Sequence, residues 1–121
     1  MSHSYRDLTV WQKAKFLATE VYRLTGDFPR QEMFGLTSQM RRAAVSVVSN
    51  IAEGQGRLTK GEFLQFLGHA RGSLLELETQ VSIATDLRYL KKEEVAVFGE
   101  QSAEVLRLIN GLIISLRSAR G

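Results

Sequence analysis

No cysteine occurs in the 121 residues. That excludes a disulfide framework, a zinc ribbon, an iron–sulfur cluster and a thiol nucleophile, and it fits a reducing, cytoplasmic setting. Proline occurs once, as Pro29, so little in the chain can break a helix. Long hydrophobic runs are also missing: every apolar stretch is interrupted far short of the roughly 18 residues that span a membrane. The opening Met1-Ser2-His3-Ser4-Tyr5-Arg6-Asp7 has no apolar h-region, which points to a soluble protein that is not exported by the usual route. Neither sign of charge dominates. Sixteen Lys and Arg against 13 Asp and Glu leave +3, too small a surplus to argue for nucleic acid by itself.

What the chain does have is 44% hydrophobic residues and a mixed 24% of charged ones, enough to build one packed core and too short a length for two. The apolar residues recur at helical spacing, and strand signals are absent. Val10, Ala14, Leu17, Val21 and Leu24 step by four and three, with Trp11 and Ala18 widening the stripe; Asp7 is placed to cap this helix and Gly26 to end it. Leu36, Met40, Ala43, Ala44, Val47, Val48 and Ile51 form a second run, stopped by Gly54 and Gly56, which supply the positive φ that helix exits often require. Thr59-Lys60-Gly61-Glu62 matches the T-x-x-E capping box, with Leu58 and Phe63 at the positions of a hydrophobic staple.

From there Phe63, Leu67, Ala70, Leu74, Leu77, Val81 and Ala84 keep a period of 3.5, which predicts near-parallel packing with a left-handed supercoil. Val95, Phe98, Val105, Ile109, Leu112 and Leu116 mark the fourth helix, and Arg117-Ser118-Ala119-Arg120-Gly121 is expected to fray. The expected fold is all-α: an antiparallel up-down-up-down four-helix bundle with a left-handed supercoil, one domain over residues 1–121, with helices near 8–25, 36–53, 60–88 and 92–117.

Two helical faces carry more than a core stripe. On the second helix Arg42, Ser46, Ser49 and Glu53 form a row opposite the apolar residues, either a solvent face or a shallow surface for another chain or an RNA backbone. On the third, Leu64 and Leu75 flank Gly68, and Ile83 and Leu87 lie on another side. Gly61, Gly68 and Gly72 each cost about 1 kcal/mol of helix propensity against alanine, which suggests close packing. These flanks predict a homo-oligomer whose interface includes Ser46, Ser49, Leu64, Gly68 and Leu75, unless neighbouring helices of the same chain cover them.

Catalytic chemistry finds little support. His3 lies in the opening segment; His69 shares a helix side with Glu62, Ser73 and Glu76, but no second Glu-x-x-His completes a di-iron set and too few ligands gather for zinc. Ser46, Ser49 and Ser73 lack a local histidine or nucleophile elbow, and Gly54-Gln55-Gly56-Arg57 has neither the Walker Lys-Ser/Thr nor a preceding strand. No catalytic residue, metal or cofactor is expected, and a metal enzyme using His69 and Glu76 is the outlying alternative.

Charge is more informative by location. Residues 1–60 hold nine Lys and Arg against five Asp and Glu, while residues 61–121 hold seven against eight. Arg41, Arg42, Arg57 and Lys60 are the candidate nucleic-acid contacts, working through phosphates with little sequence reading. Alternatively, Arg41 and Arg42 pair with Glu76 and Glu78 across the helical hairpin.

Ser46-Val47-Val48-Ser49-Asn50-Ile51-Ala52-Glu53-Gly54-Gln55-Gly56-Arg57, followed by Glu62-Phe63, Phe66-Leu67 and Ala70-Arg71-Gly72-Ser73-Leu74-Leu75-Glu76-Leu77-Glu78, resembles a known family, as does the early Tyr5-Arg6-Asp7-Leu8-Thr9-Val10-Trp11-Gln12-Lys13-Ala14. It is similar to the four-helix bundle proteins first described as products of intervening sequences inside bacterial 23S rRNA genes, sometimes labelled S23 ribosomal protein. Val48 departs from that family, which commonly has proline there, so a less kinked second helix is expected. The resemblance implies a ring, with a pentamer favoured, and no enzymatic activity. The family is also similar in fold to accessory proteins of diversity-generating retroelements, basic pentamers that bind nucleic acid and a reverse transcriptase. Any direct role of the family motif falls on Asn50, Glu53, Gly54, Gly56 and Arg57, with Gly72, Ser73 and Glu76; the other reading is that they shape the helix turn.

The leading expectation is a non-enzymatic oligomer that binds rRNA or another nucleic acid through basic patches. The second is a scaffold that receives a protein partner. Five copies of a +3 chain would carry +15.

Overall fold

The structure is a computed structural model and describes residues 4–119. Four α-helices fill that span: α1 is Thr9–Thr25, α2 Leu36–Gln55, α3 Lys60–Asp86 and α4 Lys92–Ser118, with short 3-10 turns at Tyr5–Asp7 and Arg30–Glu32. The helices pack in chain order around a square, α4 closing back on α1, and no diagonal pair of helices meets among the described residues. Side-chain contacts show consecutive helices running antiparallel: Arg41 near the start of α2 bonds Thr25 at the end of α1, Ser46 meets Ser73, and Lys60 at the start of α3 reaches Ala119 beyond the end of α4.

The four predicted stripes form the core. Val21, Met40, Ile51, Leu67, Ala70, Leu74, Leu77, Ala84 and Ile109 have no measurable exposure. Each large member contributes about 1.5–3 kcal/mol of burial. One polar pair sits among them: the buried Ser102 hydroxyl of α4 donates to the Glu78 carboxylate of α3. No helix among the described residues is long and apolar enough to cross a membrane.

Helix ends depart from expectation in informative ways. Asp7 does not cap α1; it closes the first 3-10 turn, which Ser4 caps, and Leu8 precedes α1 without a side-chain cap. The Thr59 hydroxyl accepts the Glu62 N–H at 3.1 Å as predicted, but the staple is absent because Leu58 is 98% exposed. α2 runs straight through Gly54 to Gln55, and Gly56 at its end has φ −80°, so neither glycine supplies a positive φ. Gly54 is needed for space instead: a Cβ there would lie 2.7 Å from the Phe66 Cβ and 3.0 Å from Phe63 Cδ1.

Gly61, Gly68 and Gly72 show the opposite, with nothing within 4 Å of a Cβ at any of them, so packing within the chain does not explain them. α3 ends two residues before the expected boundary in a Schellman turn, where the Tyr89 N–H bonds the Ala84 carbonyl and Arg88 adopts φ 65°. Arg117 and Ser118 belong to α4; Arg120, Gly121 and His3 lie outside the described residues.

The second 3-10 turn ties the loops together. One Glu32 oxygen accepts the Leu36 N–H at 3.1 Å at the start of α2, and the other accepts the Tyr89 hydroxyl at 2.9 Å from the α3–α4 connector.

Gly54→Ala is expected to lower stability by about 1–2 kcal/mol, overpacking outweighing the gain in helix propensity. Gly68→Ala, in open space, raises it by about 1 kcal/mol. Chemical denaturation of both variants checks the contrast. Arg88→Gly relieves a left-handed backbone and stabilises by about 1 kcal/mol, read the same way. The hydrogen bond to Glu32, with desolvation and the carboxylate's charge, raises the Tyr89 pKa above its usual 10.0. Its neutral form is therefore favoured in the fold, and the contribution is full below about pH 10 and lost as pH rises through the folded-state value. Alkaline unfolding titrations should show that added slope in the parent chain and not in Tyr89→Phe.

Candidate functional site

The α2–α3 seam carries most of the motif residues. Near its middle the Ser46 and Ser73 hydroxyls meet at 2.8 Å, and Asn50 Nδ2 donates to the Ser46 carbonyl at 2.8 Å and to its hydroxyl at 3.0 Å. Ser46 is therefore part of the helix–helix seam and half-buried, rather than a member of a solvent row. The amide donors of Asn50 are committed inward, which leaves its Oδ1 as a free acceptor. Beside this chain of bonds lies a shallow depression of about 550 Å³, lined by Ser46, Asn50, Gly68, His69, Gly72, Ser73 and Glu76. Gly68 and Gly72 make it possible, since side chains at those positions would stand in it.

Below the depression the seam tightens. Gly54 lets the α2 backbone touch Phe66, the Phe66 ring meets His69 edge-on with centroids 6.0 Å apart, and the Arg57 guanidinium lies 4.5 Å over the same ring. Arg57 is thus held by an aromatic face worth about 0.5–1 kcal/mol and keeps its donors open to solvent. Glu53 is exposed on the outer side of α2 and Gly56 ends that helix.

The four candidate cations do not form one patch. Arg41 turns toward α1: its Nε donates to Thr25 Oγ1 at 2.9 Å, its terminal nitrogen reaches the Tyr22 carbonyl at 3.4 Å, and the guanidinium lies 4.7 Å over the Tyr22 ring. Lys60 donates to the Ala119 carbonyl at 2.8 Å. Arg42 is exposed. The alternative pairing across the hairpin is not formed either, because Arg41 bonds α1 and Glu78 bonds Ser102. The register explains this: Ser46, not Arg41, stands opposite Ser73.

Of the expected interface residues, Ser46 and Gly68 border the depression, Leu64 is half-buried and Leu75 is exposed on the outer face of α3. Ser49 lies on the other side of α2, in the groove toward α1 with Val45 and Val48. His69 makes no hydrogen bond to either serine of the seam, and no three His, Asp or Glu side chains among the described residues group as metal ligands. The arrangement offers hydrogen-bond acceptors, hydroxyls and an imidazole on an open shelf flanked by arginines. Phe66 and Tyr22, which hold Arg57 and Arg41, escaped sequence reasoning; only the cross-helix register could have revealed them.

No curated protein matches the chain. A crystal structure of a protein of unknown function from the S23 ribosomal protein family of Bacteroides thetaiotaomicron VPI-5482 superposes with a TM-score of 0.79 at 21% identity, covering 86% of this chain and 94% of that one. The likeness shows a shared fold. Residues 6–111 match the description of the 23S rRNA-intervening sequence proteins, and the chain belongs to that family.

Proposed function

We propose that the protein is a non-enzymatic, oligomeric helical bundle that binds structured RNA through the outer face of α2 and the shelf beside it. The observation that carries this reading is the pair Arg42 and Arg57: Arg42 is exposed on α2 and Arg57 in the turn that follows it, neither forms an ion pair among the described residues, and the shelf opens between their levels. By helix rise Arg42 and the end of α2 at Gln55 stand about 20 Å apart, with Arg57 just beyond, so each arginine meets a different phosphate. The Asn50 Oδ1, the Ser73 hydroxyl and His69 supply polar contacts between them. Arg41 and Lys60, held within the chain, shape this face rather than lead the binding.

Several copies multiply the pair. Exposed Leu75, Ile83, Leu87, Val97 and Ile114 favour self-association, and the family resemblance favours five copies. A scaffold that receives a protein partner is the second reading, favoured by the apolar groove between α1 and α2.

Titration against rRNA fragments at 50 and 200 mM salt tests the proposal. Two phosphate contacts per protomer make affinity fall about tenfold over that range. Arg42→Ala combined with Arg57→Ala should remove most of the binding and flatten the salt dependence. No binding at the lower salt, or binding unchanged in the double variant, overturns it.

A further inference from the structure

The groove between α1 and α2 is lined mainly by apolar surface. Ala18, Val45 and Val48 form its floor and Tyr22 one wall; Tyr22 and Val45 are 46% and 43% exposed, and the space amounts to about 350 Å³. Its polar members are largely spent within the chain: the Thr19 hydroxyl donates to the Lys15 carbonyl at 3.1 Å, and the Tyr22 carbonyl takes a bond from Arg41. Cations outnumber carboxylates on the flanking stretches. From Thr9 to Tyr22 the charged residues are Lys13, Lys15 and Glu20, the last paired with Arg23 at 2.9 Å on the side of α1 toward α4, and from Leu36 to Ala52 they are Arg41 and Arg42. Lys15 stands at one end of the groove, and Arg41, stacked on Tyr22, at the other. Lys15 and Tyr22, on whose ring Arg41 stacks, are seven residues of α1 apart, or about 10 Å.

One segment of the same chain has the reciprocal pattern. From Glu93 to Glu104, α4 carries four carboxylates and no Lys or Arg. Glu93, Val97 and Glu100 fall on one exposed face of α4, with Val97 48% exposed between the two acids. Glu93 and Glu100 are again seven residues apart, about 10 Å. An apolar knob between two carboxylates thus matches, in length and sign, an apolar groove between two cations.

We infer that the α1–α2 groove receives the first half of α4 from a second copy of this chain, Val97 entering the groove and Glu93 and Glu100 meeting its cationic ends. The inference rests on the oligomeric reading above and names the faces involved. Groove and ridge are different surfaces of one protomer, so the contact is head-to-tail, the kind that closes into a ring when the rotation allows. The apolar contact supplies affinity, and the charges select direction and register. An RNA base is the less suitable occupant, because Lys15 lies over the Trp11 ring and Arg41 over the Tyr22 ring, covering a face that a base would stack on.

Light scattering on the full chain at micromolar concentration, with circular dichroism to confirm folding, tests this. The parent chain should be oligomeric, and Val45→Asp and Val97→Asp should each weaken association by about a hundredfold, giving monomers near 13.6 kDa. Lys15→Glu with Arg41→Glu should weaken assembly, as should Glu93→Lys with Glu100→Lys; combining the four should restore it. An oligomer that persists in both aspartate variants overturns the groove assignment and leaves the oligomeric reading standing. A parent chain that is monomeric removes both. An oligomer unaffected by Val45→Asp that loses RNA affinity assigns the groove to RNA and overturns the inference.

Discussion

The close approach of α2 and α3 at Gly54 governs the rest of the seam. Because no side chain projects there, the α2 backbone comes to van der Waals contact with Phe63 and Phe66, and the two helices are fixed in rotation and register at one end of their contact. Eight residues earlier on α2, that register brings the Ser46 and Ser73 hydroxyls to 2.8 Å and lets Asn50 bond Ser46. At the turn end it sets Phe66 beneath Arg57. A methyl group at residue 54 would disturb all of these, since tightly packed interiors transmit displacement rather than absorb it.

Much of the fold was legible in the sequence because periodicity reports which side of a helix is buried. Residues such as Leu67, Ala70, Leu74 and Leu77 were assigned to the core by spacing and are fully buried. Spacing says nothing about how one helix is rotated against another. Ser46 looked like part of a solvent row, yet the neighbouring helix gives it a partner; Arg41 looked free, yet Tyr22 and Thr25 hold it. Gly54 illustrates the same gap. A glycine near a helix end suggests a turn from local rules, whereas its purpose comes from residues nine and twelve positions away. Local capping rules were read correctly at Thr59 and missed at Asp7, where a short 3-10 turn intervened.

The distinction between a structural and a binding role for the motif from Asn50 to Arg57 loses its edge in this geometry. Gly54 positions Phe66, and Phe66 supports Arg57; Asn50 spends its donors on the seam and thereby keeps an acceptor for the shelf. The same atoms build the surface and present it. Arg41 and Lys60 show a different economy, in which cations clasp neighbouring helix ends with part of their hydrogen-bonding capacity while their charge still acts on whatever approaches.

The bare glycines of α3 have a mechanical consequence. This helix is about 40 Å long, and its inner side is locked against the core while Gly61, Gly68 and Gly72 leave stretches of its outer backbone uncovered. Water competes for the carbonyls there, and glycine resists bending less than any other residue. The compliance of the bundle is therefore concentrated along the edge of the shelf, where a rigid partner can be met by a small curvature of the helix itself.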